Sequence, residues 1–162
     1  MVLERLRQFR NAGVRPTRDD YAFAREWLVD DRLFELFAQQ EPRDIVHAVR
    51  TAQWLQSRGH TERDLMLAAL LHDIGKGEQR TRDRVAWVVA QALRLEDVAA
   101  ADRSKVAMRR ALARSADHAA VGAVLLREAG APAAVVEYTL LHHDPVVEDG
   151  MLALLQAADA AC

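Results

Sequence analysis

The chain has 162 residues, a formal net charge of −2 with neutral histidines, and a single cysteine, Cys162. A chain of this length forms one domain that can bury a core without disulfides, and one cysteine excludes a disulfide framework or a site built from several thiolates. The balance of charge argues against a nucleic-acid partner, and the absence of a signal peptide or a long apolar run predicts a cytoplasmic protein without a membrane partner.

Residues that typically start or stop helices divide almost the whole chain into predicted helices. Thr17, followed by Asp20, predicts a helix start with an acidic capping box, Pro42 fits a first helical position, and Thr61 is expected to cap another helix. The stretch from 96 to 117 is expected to be helical in part, and His118 to open the helix that follows it. The predicted helices cover residues 2–11, 18–28, 33–37, 42–58, 62–73, 85–95, 119–129, 132–143 and 150–161.

Strand-like alternation is scarce, so the prediction is an all-α, single-domain helical bundle of about seven to nine helices. Residues 1–40 are interpreted as an N-terminal helical extension packed on the core. Residues 41–162 are interpreted as a metal-binding helical domain, for the reasons that follow.

A histidine and an aspartate stand side by side where a predicted helix ends, as His72-Asp73 before Ile74-Gly75-Lys76. The pair offers one neutral nitrogen donor and one anionic oxygen donor to a metal ion. Neighbours on a helix point about 100° apart, so both reach one ion only at a terminal turn, which Gly75 is expected to supply. Taken alone, the pair could also be a capping interaction.

Further candidate ligands lie on other predicted helices, at His47, His118, His142 and Asp159. Asp159 has the helical spacing of Leu152 and Leu155, so it should face inward, and a buried carboxylate is costly unless it is paired or binds metal. A lone interior histidine is more often a core residue than a ligand, but the joint pattern favours a metal centre. His60 follows Gly59 and is interpreted as a surface residue, and the role of His143 stays open.

The pattern His47…His72-Asp73…Asp159, with Ile-Gly-Lys after the pair, resembles the HD-domain metal-dependent phosphohydrolase superfamily over about residues 42–162. The resemblance implies an all-α fold in which His47, His72, Asp73 and Asp159 bind one ion. In the two-metal branch of the superfamily, Asp73 would bridge two ions, and His118 and His142 would bind the second. The branch that hydrolyses cyclic di-GMP has a Gly-Tyr-Pro element after its paired histidines, which is missing after His143, so that substrate is not expected.

The nitrogen and oxygen donors suit divalent ions, with Fe or Mn favoured and Ni, Co, Zn or Mg compatible. Two adjacent ions lower the pKa of a shared water and stabilise displacement at phosphorus, with Asp73 orienting the water as a catalytic residue. Lys76 is the second catalytic candidate, since its ammonium could bind a phosphate oxygen. The alternative is that Lys76 only complements the dipole at a helix C-terminus.

The function predicted from these residues is hydrolysis of a phosphate ester or phosphoanhydride in a nucleotide or similar small phosphorylated substrate. One alternative is a di-iron oxygenase with nearly the same ligands. Another is a non-catalytic metal- or nucleotide-binding sensor whose N-terminal segment binds a partner through Leu3, Leu6, Phe9, Trp27, Phe34 and Phe37, unless these side chains pack on the bundle. The sequence is compatible with a homodimer, because Asp159 lies near the end of the chain and its helix needs packing partners.

Overall fold

The structure is a computed structural model that describes residues 14–77, 107–145 and 147–162. These residues form seven α-helices and no strand, which confirms the all-α prediction. The helices predicted over residues 2–11 and 85–95 lie outside the described residues. The helices are α1 (Arg18–Trp27), α2 (Asp31–Ala38), α3 (Pro42–Gln56), α4 (Arg63–Leu71), α5 (Ala107–Glu128), α6 (Ala133–Leu141) and α7 (Gly150–Ala161), with a 3₁₀ turn at Ile74–Lys76 after α4.

The predicted helix starts at Thr17 and Pro42 are confirmed, and the start at Thr61 is wrong. Thr17 and Asp20 form the reciprocal capping box at α1, and Pro42 occupies the first turn of α3. Thr61 does not cap α4, because that helix begins one residue later, after Glu62, without a side-chain cap hydrogen bond. Helix packing rather than a cap therefore fixes the start of α4.

Helix α4 is the centre of the bundle, and every residue from Leu65 to Leu71 is buried. It contacts α1, α2, α3, α6 and α7, so in the described part of the chain no side of it faces water from Leu65 onward. This explains why its sequence is apolar all round instead of amphipathic. Since α4 leads directly into His72-Asp73, that pair is held by the most buried element of the fold.

The two N-terminal helices that the structure describes pack on this core. Leu28 and Phe37 are fully buried, while Trp27 and Phe34 are partly buried against the same core. These aromatic side chains therefore cover the bundle, which is the simpler of the two interpretations of that segment. Leu3, Leu6 and Phe9 lie outside the described residues, and the domain boundary at residue 41 stays a prediction.

The prediction that His118 opens a helix is wrong. Helix α5 spans 22 residues from Ala107 to Glu128, so His118 lies in its interior. The stretch before His118 is rich in alanine and arginine and contains no glycine or proline, and such residues propagate a helix. None of the helices in the described part of the chain combines the length and the apolarity needed to cross a bilayer.

Candidate metal centre

Five of the six histidines meet in one chain of ring contacts, although they come from four separate segments. The ring centroids are 5.5 Å apart for His47 and His72, 5.2 Å for His72 and His142, and 5.2 Å for His118 and His142. His143 adjoins His142 at 3.9 Å. His60 instead lies partly exposed in the turn after Gly59, as predicted for a residue outside the site.

The first cluster consists of His47, His72 and Asp73, whose ligand atoms lie close enough together to hold one metal ion. Asp159 on α7 adjoins it, since its Oδ1 lies 2.8 Å from Nε2 of His47 and 3.4 Å from Nε2 of His72. Four donors from α3, the end of α4 and α7 therefore converge. These are the four residues that the resemblance assigns to one ion.

The second cluster consists of His118, His142 and His143, which also satisfy the spacing for one metal ion. Nε2 of His118 lies 3.2 Å from Nε2 of His142 and 3.1 Å from Nε2 of His143. Ring nitrogens at this distance need a proton or a cation between them, because two lone pairs repel each other. The sequence left His143 undecided, and the structure brings it into this cluster.

Asp73 lies between the two clusters and offers one carboxylate oxygen to each. Its Oδ2 is 3.5 Å from Nε2 of His72 and 3.9 Å from Nε2 of His47. Its Oδ1 is 3.4 Å from Nε2 of His118 and 3.9 Å from Nε2 of His142. The structure thus places this side chain where a carboxylate could bridge two ions.

The ends of two helices orient the central histidines. His72 is the C-terminal cap of α4 and donates from Nδ1 to the carbonyl of Ala69 at 3.0 Å. His142 caps α6 and donates from Nδ1 to the carbonyl of Thr139 at 2.6 Å. Because Nδ1 carries the proton in both rings, the neutral form of each presents a lone pair on Nε2 toward the site.

Gly75 was expected to supply the terminal turn after His72-Asp73, but it is required for a different reason. Its φ is not positive, unlike that of Gly77 at 60°, so no special backbone conformation requires it. A Cβ at Gly75 would instead lie 2.0 Å from the carbonyl oxygen of His118 and 2.5 Å from the amide nitrogen of Gly122. Only glycine lets the 3₁₀ turn touch the backbone of α5, and this contact brings Asp73 to His118.

Two buried atoms at the junction of the clusters have no hydrogen-bond partner among the described residues, Nε2 of His72 and Oδ1 of Asp73. Leaving a buried polar atom unsatisfied costs about 1–3 kcal/mol. A divalent cation would accept both lone pairs, and imidazole and carboxylate are borderline and hard donors that such ions prefer. The residues present therefore fit a metal centre.

The first cluster holds excess negative charge, which its pKa shifts reflect. Burial alone would lower the pKa of His72, but the carboxylates of Asp73 and Asp159 outweigh it and raise that pKa to about 9. Burial opposes ionisation of Asp73, yet Lys76 and His72 hold the pKa of that carboxyl well below its usual range. The neighbouring His47 and His72 have the same effect on the pKa of Asp159.

In the second cluster, the pKa values of His142 and His143 lie below the usual histidine value. Burial, together with the nearby His72 and His143, lowers the pKa of His142 to about 3. Burial and the neighbouring His118 lower the pKa of His143 to about 4. Neutral imidazole is the form that binds metal, so these rings need no deprotonation near neutral pH.

Lys76 forms an ion pair with Oδ2 of Asp73, while about a quarter of its side chain remains exposed. Burial would lower the pKa of its ammonium, but Asp73 and then Asp44 raise it above the usual range. Asp44 is buried and was not identified from the sequence. The available signal was its position on α3, three residues before His47 and so on the same side of that helix.

All six predicted metal ligands and Lys76 are thus brought into one region, and His143 joins them. In comparison with known proteins, the family model for the HD domain matches residues 44–161 of the chain. Comparison with curated proteins and with solved structures gave no match in either set.

Proposed function

Because the chain belongs to the HD domain family, whose members are largely metal-dependent phosphohydrolases, we propose that it hydrolyses a phosphate ester or phosphoanhydride of a small substrate such as a nucleotide. The observation that carries this proposal is the position of Asp73, with one carboxylate oxygen toward each of two histidine clusters. That arrangement suits two neighbouring ions that act together on one phosphoryl group.

The proposed ligands divide between the two clusters. His47, His72, Asp73 and Asp159 would bind one ion, and His118, His142 and His143 would bind the other together with Asp73. This set contains no sulfur donor, and its imidazole nitrogens and carboxylate oxygens suit divalent Fe, Mn, Co, Ni or Zn better than Mg. The shared carboxylate would set the spacing of the pair.

When bound, such ions supply Lewis acidity and an activated water for attack at phosphorus. The protein contributes orientation, because Ala69 and Thr139 fix the rings of His72 and His142 through their carbonyls. Asp73 orients the reacting groups between the clusters. Lys76 lies beside Asp73 at the edge of a cavity, where its ammonium would bind a phosphate oxygen.

The proposal is tested by loading the purified chain with Mn or, anaerobically, with Fe(II), and measuring phosphate release from a panel of phosphate esters and nucleotides. We expect turnover that depends on metal, and we expect Asp73→Asn to remove at least about a hundredfold of it by losing the bridging charge. The matched control is Asp19→Asn, which removes an exposed carboxylate on α1. Full metal occupancy without phosphate release from any ester would overturn the proposal, and oxygen consumption by the Fe-loaded protein would favour an oxygenase.

A further inference from the structure

The last turn of α4 has carbonyl groups that need donors from outside the helix, because an α-helix bonds each carbonyl to the amide four residues on. The backbone amide of His72 donates to the carbonyl of Ala68 at 2.8 Å, and the ring of His72 donates to the carbonyl of Ala69. The next carbonyl, that of Leu70, accepts a hydrogen bond from the side chain of Gln40, 30 positions earlier in the chain. This bond joins the end of α4 to the connection between α2 and α3.

Gln40 is buried, and its surroundings fix the orientation of its carboxamide. Its backbone amide and its side-chain Nε2 both donate to the carbonyl of Phe37, at 3.2 and 3.3 Å, and Nε2 also donates to the carbonyl of Leu70 at 3.3 Å. The opposite orientation would turn Oε1 toward two carbonyl oxygens, which would repel it. In the observed orientation, Oε1 has no hydrogen-bond partner among the described residues. Gln40 therefore serves the two carbonyls as a donor and leaves its own acceptor unsatisfied.

The hydrogen bond from Gln40 to Leu70 lies where the chain leaves the α-helical conformation. In a longer α4, the Leu70 carbonyl would accept from the amide of Ile74, and Asp73 would remain in the helix. Instead the backbone of Asp73 has φ −100° and ψ 2°, and the 3₁₀ turn follows. Consecutive side chains on a helix point about 100° apart, so the break lets His72 and Asp73 face the same centre. Gln40 supplies the donor that a continued helix would have supplied.

We propose that Gln40 is a positioning residue for the metal centre: by donating to the Leu70 carbonyl, it maintains the break after α4 that presents Asp73 between the two histidine clusters. Asp73 has one carboxylate oxygen toward each cluster, so a shift of this side chain would affect both. The unsatisfied Oε1 supports a role in geometry, because a buried acceptor without a donor offsets the stability that the two hydrogen bonds contribute. The inference rests on the proposed function, since the centre that Gln40 supports is the one proposed to act on phosphate.

The test uses two variants of the full chain that have only the loss of the donor in common. Gln40→Met keeps the length of the side chain without donor or amide oxygen, and Gln40→Glu keeps its shape and Oε1 but replaces the donor with a second oxygen. Gln53→Met, which changes an exposed glutamine on α3, is the matched control. Each protein is loaded with Co(II), whose visible absorption changes with the number and geometry of its ligands, and the affinity for Co(II) is measured. Chemical unfolding of the metal-free proteins measures stability separately.

We expect both Gln40 variants to change the Co(II) spectrum, and Gln40→Met to bind Co(II) roughly tenfold more weakly, as the loss of a group that orients a ligand would give. Gln53→Met should match wild type. Gln40→Asn, whose shorter side chain draws the amide away from Leu70, replaces a variant that does not fold.

Wild-type spectra in both variants would overturn the inference even if stability fell, because Gln40 would then support only the fold. A changed spectrum in one variant alone would also overturn it, since the lost donor is what the two share. Either result leaves the hydrolase intact if wild type releases phosphate. Changed spectra in both variants, with no phosphate release by wild type from any ester, would uphold the role of Gln40 and refute the hydrolase.

Discussion

His72 and His142 end two different helices in the same way, and their rings meet with centroids 5.2 Å apart. Each is the C-terminal cap of its helix, and each donates from Nδ1 to the carbonyl three residues earlier. Each is also followed by a second candidate ligand, Asp73 after His72 and His143 after His142. The ends of α4 and α6 therefore orient a histidine in the same way, with Nε2 toward the site and the next side chain beside it.

His143 is expected to be needed for the second ion and not for the first. His143→Ala should weaken binding at the second cluster by at least roughly tenfold, so that purified protein retains about one ion per chain instead of two. Metal analysis by mass spectrometry, together with the rate of phosphate release, measures this. His60→Ala is the matched control, because His60 lies outside both clusters. Unchanged metal content in His143→Ala would remove His143 from the ligand set.

Gly75→Ala is expected to destabilise the protein and to disturb the second cluster together with the fold. The added methyl group would meet the backbone of α5 at His118, and overpacking of this kind costs about 1–3 kcal/mol. Chemical unfolding and metal content are the measurements. Gly150→Ala is the control, since a methyl group there would have no neighbour within 4 Å and the residue is in the first turn of α7. Equal stability of both variants would contradict the close contact.

Metal binding at the first cluster is expected to release about one proton below pH 9. His72 has a folded-state pKa raised to about 9, so the metal-free protein holds a proton there that an ion must displace. Apparent metal affinity should therefore rise with pH and level off near pH 9. Calorimetry of metal binding in two buffers with different ionisation enthalpies counts the protons, after correction for buffer–metal binding.

The raised pKa of His72 also makes the stability of the metal-free protein fall as the pH rises. The stabilisation from protonated His72 is fully present below pH 6.5, the usual histidine value, and is lost as pH rises toward 9. Thermal unfolding in the presence of a chelator should show this loss, and His72→Gln should flatten it. A stability that rises steadily from pH 6.5 to 9 in wild type would contradict the assignment.

Lys76→Met is expected to separate metal binding from catalysis. Its ammonium pairs with the Asp73 oxygen that faces the first cluster, so removing it takes away a competing cation. Metal affinity should stay the same or increase, while turnover falls on the order of a hundredfold if the ammonium stabilises charge on phosphate. Lys76→Arg, which retains the charge, is the matched control. Parallel loss of metal and activity in Lys76→Met would show that Lys76 only supports the fold.

The sequence by itself determined most of the described helices, because apolar spacing and local signals such as Thr17-Asp20 and Pro42 act within a few residues. It also supplied the ligand types, since imidazole and carboxylate chemistry does not depend on the fold. The sequence did not predict that His143 belongs to the site or that Asp44 lies near Lys76. Helical spacing places a residue on a face of its own helix, but it does not state which faces meet.

Only the tertiary structure decided which side chains share an ion, because those contacts join residues far apart in the chain. His47 and Asp159 are 112 positions apart and still hydrogen bond, which depends on how α3 and α7 pack around α4. Likewise, the absence of a side chain at Gly75 matters only because α5 crosses it. The cavity beside Asp73 and Lys76 has the same origin, since α2, α3, α5 and the 3₁₀ turn line it and no local pattern could show that they meet.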